Sequence, residues 1–179
     1  MLGGDVAYAL FDTPIGRCGV AWGAAGIRAV QLPERAEAVA VGRLRRYGAE
    51  GEPPGWVVGA IDRMLGLLGG DRDDLADIPV DPDGIPDFDR LVYDVARGIA
   101  PGQTLTYGEV AARIGHPGSA QAVGQALGRN PYPIVVPCHR VLGANGRVGG
   151  FSAGEGAVTK LRILGIEGAA PNGQPSLFD

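Results

Sequence analysis

With 179 residues, 45% of them apolar, the chain has enough material for one full domain or two small ones, which excludes a wholly disordered protein. A formal charge of −4 argues against nucleic-acid binding by bulk charge alone. The charge is unevenly spread: residues 101–168 carry six Lys and Arg against three Asp and Glu, whereas residues 1–100 carry ten against sixteen, so an anionic partner is expected at the C-terminal half. From Val6 to Gln31, β-prone runs alternate with Thr-Pro-Ile-Gly and Gly-Ala-Ala-Gly, which predicts a three-stranded meander over 6–12, 18–22 and 27–31. Residues 35–47 read as a helix, and residues 56–68 repeat apolar side chains at helical spacing, with Pro54 suited to the first turn. The stretch 69–86, rich in Gly, Asp and Pro, is the linker candidate.

Beyond it the pattern predicts short helices. Phe88, Leu91, Val92, Val95 and Ile99 fall on one helical face, closed off by Gly102. Residues 107–114 and 119–128 form two further helices across the turn Gly115-His116-Pro117-Gly118, with Ser119 placed as an N-cap, and this pair is a helix-turn-helix candidate. Ala120, Ala122, Gly124 and Ala126 would let the second helix approach a partner closely or pack tightly on a neighbour. Asn130-Pro131-Tyr132-Pro133 forbids helix, and the apolar run 134–136 must be buried, delivering Pro137-Cys138-His139-Arg140-Val141 at its end. Asn145-Gly146 signals a hairpin with a returning wing at 147–152, residues 157–166 form a last helix, and 169–179 is a tail.

Cys138 beside His139 is the sharpest chemical feature, because sulfur attacks carbon as thiolate and an ordinary thiol needs a base or a cation to become one at neutral pH. Neighbours in an extended strand point to opposite faces, so His139 reaches the thiol only if the backbone turns here or a water bridges them. Cys18, inside a strand, reads as a small buried core residue. The two cysteines are expected to be unpaired in a reducing, cytoplasmic compartment, since neither a secretory h-region nor a membrane-spanning apolar run is found. With only His116 and His139 besides them, no metal-ligand spacing arises, and no metal is expected.

Residues 130–141, Asn-Pro-Tyr-Pro-Ile-Val-Val-Pro-Cys-His-Arg-Val, closely resemble the active-site segment of the O6-alkylguanine-DNA alkyltransferases, the methylated-DNA–protein-cysteine methyltransferase family. The match runs from about Phe88 through Thr104-Leu105-Thr106-Tyr107 to Ile166-Glu167-Gly168, and residues 10–16 more loosely resemble the start of the family's N-terminal domain. The resemblance implies an α/β protein: a small N-terminal domain of antiparallel sheet and helices (1–80), then a mostly helical DNA-binding and catalytic domain (86–168) with a winged helix-turn-helix. It implies Cys138 as alkyl acceptor, activated through a water by His139, which Glu167 orients; Asn130 braces the site, and Tyr107 stabilises the guanine leaving group and crowds the phosphate of the extruded nucleotide.

Ala120, Gln121 and Ala122 would meet the DNA minor groove, and Pro133, Arg140, Val141, Phe151 and Ser152 complete the base- and DNA-binding set. The implied partner is double-stranded DNA carrying O6-alkylguanine, met by a monomer that needs no cofactor. Two departures stand out. Gln121 occupies the place of the family's arginine finger, which predicts weaker DNA binding or slower flipping, and two extra residues lie around 153–156. The competing readings are a non-catalytic alkyltransferase-like damage sensor, which characteristically lacks the cysteine, and a cysteine hydrolase using Cys138 and His139.

Overall fold

The computed structural model describes residues 6–146 and 156–169. The meander forms as expected: β1 (Ala7–Thr13) and β2 (Gly16–Gly23) pair antiparallel, and β3 (Gly26–Gln31) pairs antiparallel with β2. At the first turn the Thr13 hydroxyl accepts a bond from the Ile15 N–H and donates to the Gly16 carbonyl, closing the hairpin locally. A fourth strand, β4 (Ala49–Glu50), pairs parallel with β1, so the sheet is mixed rather than wholly antiparallel, in the order β3-β2-β1-β4. Gly48 makes this pairing possible: its φ is +149°, and a Cβ there would lie 2.2 Å from the Val6 carbonyl oxygen.

Helix α1 (Glu37–Leu44) runs into a 3-10 turn at Arg45–Tyr47, and α2 (Gly55–Leu68) buries Val57, Ala60, Met64, Leu67 and Leu68. The expected linker contains no helix, yet it is a packed strap. Asp73 takes a two-pronged bond from Arg63 and one from the Leu75 N–H, Leu75 is fully buried, and Arg97 donates to the Leu75 and Ile78 carbonyls. Further on, the strap pairs with β3, with Ile27 N–H donating to Pro79 and Asp81 N–H to Ile27.

Helix α3 (Asp87–Arg97) buries Asp89, Val92, Tyr93 and Ala96, and it ends at Gly98 rather than Gly102. Leu91, expected on the inner face, is 45% exposed. Asp89 lies on the inward side instead, because Arg129 from the following pair of helices grips its carboxylate with two bonds. After β5 (Leu105–Thr106) come α4 (Tyr107–Arg113) and α5 (Ala120–Gly128). Ser119 stands at the N-cap position of α5 but makes no side-chain cap; the working cap is Thr106, whose hydroxyl accepts from the Glu109 N–H of α4. The two-residue β6 (Val141–Leu142) pairs parallel with β5, and α6 (Ala157–Ile166) closes the described chain. The returning wing expected at 147–152 lies outside the described residues.

One contiguous apolar core runs through both halves, from Val20 and Trp22 of the sheet to Val123, Val136 and Cys138. Polar ties cross the same seam: Val30 N–H to the Pro131 carbonyl, the Tyr132 hydroxyl to the Asp81 carbonyl, and Arg162 to the Pro14 carbonyl. Among the described residues no helix is long and apolar enough to cross a membrane.

Candidate active site

The site is built on the loop after α5. Asn130 is buried and spans the loop with its side chain: Nδ2 donates to the Val136 carbonyl at 2.9 Å, and Oδ1 accepts from the Tyr132 N–H at 3.0 Å. Ile134 adopts a φ of +76°, a costly value for a β-branched residue, held by the Val136 N–H to Tyr132 carbonyl bond. The run 134–136 is therefore buried as a tight loop, not as a strand.

The backbone turns where the chemistry requires it. Cys138–Arg140 is one 3-10 turn, so successive side chains point about 120° apart instead of to opposite faces. Cys138 is nearly buried, and the Asn130 side chain acts on its thiol in favour of the thiolate. His139 is fully buried, with Nε2 2.7 Å from Glu167 Oε1. Arg140 is fully buried as well: Nε and Nη2 fork onto the two oxygens of Glu167 at 3.0 and 2.8 Å, and Nη1 donates to the Ile99 carbonyl at 2.7 Å. Arg140, expected to face DNA, thus has no surface to offer it; its charge is spent internally on Glu167.

Glu167 arrives from the end of α6 through a defined stop. Gly168, at φ +74°, gives the helix a Schellman ending, with Ala169 N–H bonding to Leu164 and Gly168 N–H to Gly165, while Ala169 packs on Leu164 and Leu142. Along α6, residues 160, 163, 164 and 167 share one stripe, and all four are buried. Lys160 is thereby carried into the site: its Nζ donates to the Val141 carbonyl at 2.7 Å and stands 5.8 Å from the centre of the Tyr107 ring. The sequence reading missed Lys160, although its place on the stripe shared with Glu167 was an available signal.

The electrostatics follow from burial and these contacts. Burial would raise the Glu167 carboxyl, but the bonds from His139 and Arg140 overcome it and hold the group at about 2. Burial pushes His139 down against the pull of Glu167, with Arg140 and Lys160 adding to the fall, so the ring is neutral at pH 7. An ionised Glu167 can only accept, so the proton of neutral His139 sits on Nε2 and Nδ1 is left as an acceptor. Nδ1 is buried with no hydrogen-bond partner among the described residues. Burial pushes the Cys138 thiol up, opposed by the Asn130 side chain, by the charge of Lys160 and by the backbone N–H groups of Cys138 and His139. Burial lowers Lys160, with Cys138 opposing; burial and Cys138 together raise Tyr107.

Cys138, His139, Glu167, Asn130 and Tyr107 are therefore gathered at one place. Val141 is buried with its carbonyl taken by Lys160, and Pro133 is buried beside Cys138. Ala120 and Ala122 are half-buried and Gln121 is exposed at the start of α5. Phe151 and Ser152 lie outside the described residues. Cys18, as expected, is a buried core thiol, pushed up to about 11 by burial against a bond with Thr13, and both cysteines are free.

Residues 87–169 match the family model for the DNA-binding domain of 6-O-methylguanine DNA methyltransferase. A methylated-DNA–protein-cysteine methyltransferase of Methanothermobacter thermautotrophicus is 37% identical over 161 residues, covering 90% of this chain and 85% of the relative. A protein of the same name from Mycobacterium bovis is 40% identical over 126 residues, covering 70% and 74%. The crystal structure of Mycobacterium tuberculosis OGT in complex with DNA superposes with a TM-score of 0.74 at 34% identity, covering 90% of this chain and 92% of that one.

Proposed function

The chain belongs to the methylated-DNA–protein-cysteine methyltransferase family, and we propose that Cys138 removes the alkyl group from O6-alkylguanine in double-stranded DNA and keeps it. The observation that carries this reading is the buried chain of contacts from the Cys138 turn through His139 to Glu167. With Nε2 committed to Glu167, Nδ1 is the nitrogen left to take the thiol proton, by way of a water as in the family. Lys160 and the backbone N–H groups favour the thiolate that results. The sulfur then bonds to the alkyl carbon as the carbon–O6 bond breaks, and its electron pair passes to the guanine, where the Tyr107 hydroxyl stabilises the leaving base.

An O6 adduct inside a stacked duplex is out of reach of a buried cysteine, so the nucleotide is swung out, at a cost of a few kcal/mol that is smaller for a damaged pair. Helix α5 presents Ala120 and Ala122 to the minor groove, and Gln121 fills the gap left by the base. Residues 86–168 carry out this work and residues 1–80 brace it; the protein acts in the cytoplasm as a monomer. A thioether is stable, so each molecule reacts once. A cysteine backed by a complete base relay disfavours the non-catalytic sensor reading.

The test is intact mass after mixing the protein with a duplex holding one O6-methylguanine. A gain of about 14 Da, lost in Cys138→Ser, is the expected outcome. Lesion-selective binding with no mass gain would instead make the protein a sensor.

A further inference from the structure

A cavity of about 320 Å3 opens beside Cys138, between β3 and α1 on one side and the 130–133 loop on the other. Its walls include Arg43, Arg46, Tyr47, Arg129 and Pro133, and no carboxylate is among its described lining residues. Tyr107, assigned above to the leaving group, and Lys160, which stands near its ring, are not in its lining either. Two of the three guanidinium groups are partnered, Arg43 by Glu34 and Arg129 by Asp89. Arg46 is exposed and makes no ion pair with a described residue.

In-line transfer places guanine O6, the reacting carbon and the Cys138 sulfur on one line. The S–C bond forms as the C–O6 bond breaks; the base keeps the electron pair and takes a proton, and the thiol proton leaves through His139. Any further atoms of the substituent must then project sideways from that line, and the arginine-lined cavity is the space beside it. Its volume sits at the low end of the roughly 300–1,000 Å3 of small-molecule sites, suited to a short chain and not to a second base.

We infer that this cavity receives the distal part of the O6 substituent, so that the protein accepts O6-alkyl groups of several carbons ending in a carboxylate, with Arg46 as the group that selects the charge. The inference rests on the alkyl-transfer reading above. Guanidinium forks suit carboxylates, and with Arg43 and Arg129 held by Glu34 and Asp89, Arg46 is the guanidinium that favours that charge over a neutral isostere. A DNA phosphate carries the same chemistry, and the experiment separates the two sources.

Single-turnover rates are measured by intact mass for duplexes carrying O6-methylguanine, O6-(3-carboxypropyl)guanine and the corresponding carboxamide, with the wild type and with Arg46→Gln. In the wild type the carboxylate is expected to react about tenfold faster than the carboxamide. Arg46→Gln should shrink that ratio to about twofold while leaving the methyl rate unchanged. Equal rates for carboxylate and carboxamide, with methyl transfer intact, overturn the inference and leave the alkyl-transfer reading standing. A variant that slows all three substrates equally also overturns it, because Arg46 would then be holding a backbone phosphate. Loss of methyl transfer in the wild type overturns both.

Discussion

Replacing Glu167 by Gln tests the centre of the site, because the carboxylate serves two partners at once. Its oxygens accept from His139 Nε2 at 2.7 Å and from Arg140 at 2.8 and 3.0 Å, with all three side chains fully shielded from solvent. Glutamine keeps the shape but offers an N–H where the Arg140 fork needs an acceptor, and it leaves the guanidinium buried without a countercharge. Breaking a buried pair from one side costs about 3–5 kcal/mol. Proton linkage gives the same order: a carboxyl moved from an ordinary 4.5 to about 2 stabilises the fold by about 3 kcal/mol. Because the folded value is the lower one, that contribution is fully present above pH 4.5 and is lost as the pH falls toward 2.

Urea titrations at several pH values measure both effects. At pH 7 Glu167→Gln should unfold at a midpoint about 1.5 M lower, for a slope near 2 kcal/mol/M. The gap between wild type and variant should then narrow below pH 4.5. A variant within about 1 kcal/mol of wild type at pH 7, or a gap unchanged down to pH 3, would refute the reasoning. The double variant Arg140→Met with Glu167→Met sharpens the test: removing the stranded cation should restore part of the stability, while alkyl transfer stays lost because His139 has no acceptor.

Asn130→Ala strips a bond from the buried Val136 carbonyl and another from the Tyr132 N–H, so it should cost about 2–4 kcal/mol in urea titration and slow methyl transfer, whereas an unchanged midpoint would show that the loop holds itself. Lys160→Met removes the cation opposite the thiol, and the pH–rate profile of transfer should move to higher pH; a profile that keeps its position would rule out an electrostatic role for the ammonium. Gln121→Arg adds one cation at the exposed start of α5. Anisotropy titrations on a lesion duplex should show tighter binding and a log–log salt slope steeper by about one, and an unaltered slope would mean that this side chain does not reach the phosphates.

The sheet and most helices were legible because local patterns specify them: turn residues separate the three meander strands, and helical spacing of apolar residues marks α2 and α6. Errors arose where the deciding partner is distant in sequence. Ala49–Glu50 carries no alternation of its own, and becomes a strand only because Gly48 lets the chain pass close to Val6. Leu91 lost the inner face of α3 to Asp89 because Arg129, 40 residues on, supplies the countercharge that a buried carboxylate needs. Ser119 looked like a cap by residue type, but Thr106 has the geometry, with a φ of −87° and ψ of 161° that point its hydroxyl back at the Glu109 N–H.

The same distance effect governs the active site. In Pro-Cys-His-Arg the cysteine and histidine declare themselves by chemistry, whereas the resemblance put the arginine beside them in the base- and DNA-binding set. The 3-10 turn sends Arg140 inward to a glutamate 27 residues away, and the site depends on its being there. Desolvation by itself would raise a buried carboxylate toward the neutral acid, and a protonated Glu167 could donate to the ring as readily as accept from it. The bond from His139 and the Arg140 fork together hold Glu167 ionised, an ionised Glu167 confines the His139 proton to Nε2, and in the proposed mechanism Nδ1 is then the base for the thiol. In that proposal Arg140 is a positioning residue that acts through Glu167 and His139, and Glu167 is the member of the relay that local sequence could not supply.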